Sequence, residues 1–139
     1  LAQVVAVWRG MCPPDGGLPD WACFDPVAVP DALGMISLLE VRHPGPSFFC
    51  RLYGTKLYAA LGQDLTGKPM AEAVPNFTGS AAEADYRYVV RSGQPRLYSG
   101  PPSLWSPKRI ERVNVAMLPF AADGVRVDRI MLVVHLPGC

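Results

Sequence analysis

Proline decides where this chain can build regular structure. Fifteen of its 139 residues are proline, about double the usual share of roughly 5%. They crowd into residues 13–46, 69–75 and 95–107. A proline has no N–H and interrupts both helix interiors and sheet ladders. The proline-free windows 47–68, 76–94, 108–118 and 120–136 are therefore where helices and strands are expected. Disorder is the other reading of so much proline, and composition argues against it. Half the residues are hydrophobic. A chain of this length buries about two-thirds of its unfolded surface, enough for one real core.

Charge and cysteine narrow the function classes. Thirteen basic and twelve acidic residues nearly cancel. The most basic cluster, Lys108, Arg109 and Arg112, is interrupted by Glu111. Nucleic-acid or membrane-surface binding needs a basic stripe, so neither is expected. No apolar run reaches the length of about 18 residues needed to span a bilayer. Cys12, Cys23, Cys50 and Cys139 form no CxxC pair and have no histidine at metal-ligand spacing. Two disulfides are arithmetically possible, but a chain of this size does not need them. Cys50 lies in an apolar strand pattern and reads as a small buried hydrophobe. With no secretory signal in view, the expected compartment is the cytoplasm.

Local signals divide the chain further. Residues 4–9 suit a short helix or strand closed by Gly10. Asp25-Pro26 opens a short helix, with Asp25 as cap and Pro26 at its first position. Residues 35–41 and 48–53 read as strands joined by the turn His43-Pro44-Gly45-Pro46, an antiparallel hairpin ended by Gly54. Residues 55–61 fit a helix with Leu57, Tyr58 and Leu61 on one face and Gly62 as its left-handed stop. The strongest helix signal begins at Ser80. Ser80 and Glu83 form an S-x-x-E capping box, and Ala82, Tyr86, Val89 and Val90 follow at helical spacing up to Gly93.

The period then changes to two. Residues 96–99, 110–118 and 127–136 read as strands, with Pro119 ending one ladder and Asp123-Gly124 forming the last turn. The last strand is apolar on both sides, so something covers the second face of its sheet. The N-terminal segment and a partner subunit are the candidates. Two strands, short helices, then three strands make an α+β fold with helices on one face of an antiparallel sheet.

The motifs resemble a compact bacterial PAS-domain family. Its members carry an N-terminal Trp segment, a DP motif, a strand ending R-l-x-G-T and a G-x-D-L-T-G turn. A helix with Y-R-x-V-V-x-x-G-x-P and a final hairpin with L-P-x-x-x-D-G follow. Here these are Trp8, Asp25-Pro26, Arg51 to Thr55, Gly62 to Gly67, Tyr86 to Pro95 and Leu118 to Gly124. The resemblance covers nearly the whole chain, and motif order and spacing carry it. It implies a PAS-like five-stranded antiparallel sheet with short helices on one face and an N-terminal helical segment. Residues 1–34 would be an extension packing on a domain of residues 35–139. It also implies a sensory role and a small cavity between helices and sheet.

Leu61, Leu65, Met70, Phe77, Tyr86 and Val90 are the lining candidates from the helical side, Asp64-Leu65-Thr66-Gly67 being the turn that sends Leu65 inward. Filling the core is the alternative for all six. Arg51 alternates with Phe49 and Tyr53, so the three are expected on one face, with Arg51 and Tyr53 joining the site. Arg51 either pairs an anionic ligand group or pairs Glu40 on the neighbouring strand.

No cofactor is assigned. A haem needs an axial ligand facing the cavity, and His43 and His135 lie in a turn and at a strand end. A flavin photosensor of the PAS type would present a reactive cysteine in an Asn-Cys-Arg motif, and residues 59–65 contain none. No catalytic motif occurs either. The expected function is thus a cytoplasmic sensory domain that binds a small ligand and acts through protein contacts, as a homodimer or with a signalling partner. The alternatives are a ligand-free dimerisation module using Val113, Val115, Met131 or Val133, and a small cavity lyase or isomerase.

Overall fold

The structure is a computed structural model that describes residues 1–138. The strands are β1 (Ile36–Arg42), β2 (Ser47–Tyr53), β3 (Lys68–Pro69), β4 (Arg96–Gly100), β5 (Val113–Phe120) and β6 (Arg129–His135). They form one sheet in the order β3-β2-β1-β6-β5-β4, and every neighbouring pair is antiparallel. The sheet thus has six strands rather than the expected five. The extra one is a two-residue edge, Lys68 and Pro69 against Cys50 and Phe49, and an edge is where a proline can sit in a sheet.

The helices are α1 (Ala2–Met11), α2 (Thr55–Leu61), α3 (Met70–Ala73) and α4 (Ala81–Ser92), with 3-10 turns at Trp21–Cys23, Pro26–Ala28 and Pro30–Met35. Their ends follow local chemistry. Asp25 accepts from the N–H of Val27, and Ser80 Oγ accepts from the N–H of Glu83 at 3.1 Å. The Glu83 carboxylate takes the N–H of Gly79 instead of that of Ser80, so the box closes one residue early. Gly62 and Gly93 both adopt the left-handed conformation that stops a helix.

The sheet is covered on both faces. On one, Met70, Val74, Phe77, Tyr86 and Val89 pack on Leu39, Phe48, Cys50, Ile130 and Leu132. On the other, α1 and the 3-10 turns bring Val4, Trp8 and Val29 against Leu38, Leu118, Phe120, Met131 and Val133. Trp8 is 5% exposed, and its indole N–H donates to the carbonyl of Pro119 at 2.8 Å. Trp21 and Phe24 stack on each other and set their edges against Phe120. The N-terminal segment therefore covers the second face of β6, whose successive residues face opposite cores.

Several expectations change. Pro119 does not end its ladder. β5 continues through it to Phe120, because β4 pairs no further than Met117 and leaves β5 with a free edge. β5 begins at Val113, not residue 110, and residues 101–112 form a long connection. Tyr58 points outward while Leu57 is buried. Met131 and Val133 lie under α1, whereas Val113 and Val115 line the cavity on the other side, so the four residues named for a dimerisation surface do not share one face. One close approach explains a motif glycine. A Cβ on Gly54 would collide with the Gly34 backbone, so the R-l-x-G-T glycine lets the 3-10 turn meet the end of β2.

Candidate functional site

A cavity of about 130 Å³ lies between the sheet and α2, α3 and α4. Leu57 and Leu61 come from α2, Leu65 from the following turn, Met70 from α3, and Ala82 and Tyr86 from α4. The turn works as its sequence suggests. Asp64 Oδ1 accepts from the N–H and the hydroxyl of Thr66, at 3.0 and 2.7 Å, and Leu65 is buried. The sheet contributes Ser37, Tyr53, Tyr98, Val115, Met117 and Leu132. An engineered apolar cavity of about 150 Å³ holds benzene, whereas cofactor sites run from roughly 300 Å³ upward. This space suits one small ring.

Of the residues singled out from the sequence, Tyr53, Leu61, Leu65, Met70 and Tyr86 come together here. Phe77 stands behind the cavity, its ring centroid 5.9 Å from that of Tyr86 and 6.3 Å from that of Phe48. Val90 packs at the margin of the same core without lining the cavity.

Arg51 is elsewhere. Leu38 pairs with Leu52 but Leu39 pairs with Cys50, so Arg51 is the extra residue of a β-bulge. The bulge breaks the expected alternation. Phe49 and Arg51 stay on the outer side, with the guanidinium 5.1 Å from the Phe49 ring, and Tyr53 turns in to the cavity. Arg51 Nη2 donates to Glu40 Oε2 at 2.5 Å, and Arg42 Nε holds the other oxygen at 2.9 Å. Hydrogen bonds from Arg51 and then Arg42 hold the Glu40 carboxyl below the usual carboxylate range.

The lining carries no Lys, Arg, His, Asp or Glu among the described residues. Its polar groups are hydroxyls. Burial pushes the Tyr53 phenol up to about 12 and raises that of Tyr86 as well, so both remain protonated. Ser37 Oγ donates to the Leu52 carbonyl beside the bulge, and Cys50 Sγ donates to the same oxygen at 3.3 Å. Burial raises the Cys50 thiol, which leaves it a poor nucleophile.

Sequence reasoning missed one wall. Residues Pro102, Leu104 and Trp105 of the β4–β5 connection close the cavity, and the Tyr98 hydroxyl donates to the Pro101 carbonyl where that connection begins. Trp105 is 60% exposed at the mouth. The only hint in the sequence was a tryptophan within a proline-rich stretch. As for cofactor groups, neither His43 nor His135 lines the cavity, and among the described residues no cysteine does. His43 Nε2 lies 3.0 Å from the Val127 carbonyl, and His135 Nδ1 lies 3.0 Å from the Asn114 amide. These residues fit neither a haem ligand nor a flavin adduct.

A solved structure of a fungal LOV domain photoreceptor, described in a pathway integrating blue light and oxidative stress, is similar to this chain. The TM-score is 0.51 over 97% of this chain and 90% of that one, at 14% identity. This chain has a PAS/LOV-type fold. The likeness extends to the fold, and the site chemistry rests on this chain's own residues. No protein-family model matches the sequence, and no curated protein matches it. Among the described residues no helix is long and apolar enough to cross a membrane.

Proposed function

We propose that this chain is a sensory domain that binds a small molecule in its cavity and passes the signal on through contact with another protein, a second copy or a signalling partner. One observation carries the reading: an apolar cavity held between the helices and the sheet, with tyrosine and serine hydroxyls among its few polar groups. Such a lining is suited to recognition. Among the described residues it contains no nucleophile–base pair and no carboxylate, so we read it as a binding site rather than an active site. Cys12, Cys23 and Cys50 are free thiols, in keeping with a cytoplasmic setting.

Native mass spectrometry of the purified protein tests this. A bound small molecule should be present or be acquired from a metabolite mixture, and Leu65→Trp or Met70→Trp should abolish it by filling the cavity. Ligand mass that survives both variants would refute the cavity as the site. The modest volume favours one second reading, a ligand-free interaction module. Protein that stays ligand-free yet self-associates equally with and without those substitutions would support it.

A further inference from the structure

We propose that the cavity selects small uncharged molecules, about one ring in size and carrying a hydrogen-bonding oxygen, through the hydroxyls of Tyr53 and Tyr86. This rests on the cavity being the binding site.

Tyr86 supplies the first support. It is 4% exposed and lines the cavity. Its ring is fixed between Phe48 and Phe77, at centroid distances of 5.5 and 5.9 Å. Among the described residues every fully enclosed side-chain oxygen and nitrogen has a hydrogen-bond partner. Among the described residues no side-chain or backbone hydrogen bond acts on the hydroxyls of Tyr86 and Tyr53, so they are not walled in. They open on the cavity they line. A hydroxyl that opens on an apolar cavity is free to hydrogen-bond a guest that supplies a partner.

The second support is what the lining lacks. A carboxylate or phosphate drawn into this space would lose its water and meet no cation, an unfavourable exchange. The guanidiniums close in sequence are committed elsewhere: Arg51 lies on the outer side with Phe49 and pairs with Glu40, and Arg87, next to Tyr86, pairs with Glu83. Burial keeps both phenols protonated, so each has a proton to donate to an oxygen acceptor. The remaining lining is aliphatic and aromatic apart from Ser103 and Ser106 of the β4–β5 connection, Ser37, whose hydroxyl is given to the Leu52 carbonyl, and Tyr98, whose hydroxyl is given to the Pro101 carbonyl. The volume matches a single ring.

Ligand-observed NMR at neutral pH with phenol, toluene and benzoate tests the assignment. Phenol should bind more tightly than toluene, and benzoate should not bind. Tyr86→Phe should weaken phenol about fivefold, as expected for one lost hydrogen bond, and leave toluene unchanged. Tyr53→Phe should act in the same direction, and Leu65→Trp should abolish both complexes. Benzoate binding as tightly as phenol would overturn the ligand class while leaving the cavity as the site. So would a phenol-to-toluene ratio unchanged in both tyrosine variants. Binding of no probe, or phenol binding that survives Leu65→Trp, would overturn the cavity reading itself and this inference with it.

Discussion

Replacing Trp8 by alanine tests whether α1 is part of the folding unit or an appendage lying on it. Trp8 is almost wholly buried, and its partners include the sheet residues Leu118, Phe120 and Met131 from distant parts of the chain. An aromatic side chain of this kind buries roughly 200 Å². At about 25 cal/mol per Å² that corresponds to about 5 kcal/mol, an upper figure because part of the gap closes after truncation. Measured Trp→Ala costs of about 3–5 kcal/mol agree. The expected loss is therefore about 3–4 kcal/mol, a large share of the roughly 5–15 kcal/mol that holds a domain together. Trp8→Phe keeps most of the apolar surface but removes the N–H given to the Pro119 carbonyl, at about 1–3 kcal/mol. Urea unfolding followed by far-UV circular dichroism reads both, free of the change in tryptophan fluorescence. The midpoint should fall in the order wild type, Trp8→Phe, Trp8→Ala, with the slope unchanged. Loss of less than about 1 kcal/mol in Trp8→Ala, little more than a surface substitution costs, would refute the packing of α1 on the sheet.

Gly54→Ala should cost about 1–3 kcal/mol, because the new methyl meets the Gly34 backbone and not a movable side chain. A thermal melt identical to wild type would mean that the two segments do not approach so closely. Arg51→Met should cost no more than about 1 kcal/mol at neutral pH, since the pair with Glu40 is half exposed on the arginine side. Its effect should show in acid. The Glu40 carboxyl is held below its ordinary value of 4.5 in the folded protein. Its stabilising contribution is therefore present above that value and is lost as pH falls through the folded-state value. Arg51→Met should make the acid limb of stability against pH shallower, and an unchanged limb would contradict the pairing.

Much of this fold is legible in the amino-acid sequence, and the legible parts share a cause. The Asp25-Pro26 start, the Ser80 cap, the left-handed stops at Gly62 and Gly93, and the Asp64–Thr66 turn are each decided within about four residues. A pattern of neighbours states them completely. The succession of strands and helices along the chain followed from the proline-free windows and the change of period, and the apolar run of β6 already required cover on both faces. The inward placement of Leu61, Leu65, Met70 and Tyr86 could be read for the same reason, since helical spacing and a tight turn aim side chains locally.

What escaped were the features set by one segment against a distant one. The bulge at Arg51 exists only as a slip between β2 and β1, yet it separates Tyr53 from Arg51, so that the phenol enters the cavity and the cation stays outside. Pro119 looked like a terminator because proline breaks a ladder, and only the shortness of β4 leaves the free edge that tolerates it. The wall formed by Leu104 and Trp105 comes from a connection with no periodicity of its own. By itself the sequence determined the elements, their caps and the need for two apolar layers, since those obey short-range sterics and hydrogen bonding. Tertiary structure decided register, which side of the sheet Tyr53 and Arg51 face, and hence the charge of the cavity. Those depend on pairings between residues far apart in the chain, where a shift of one residue moves a side chain to the opposite face.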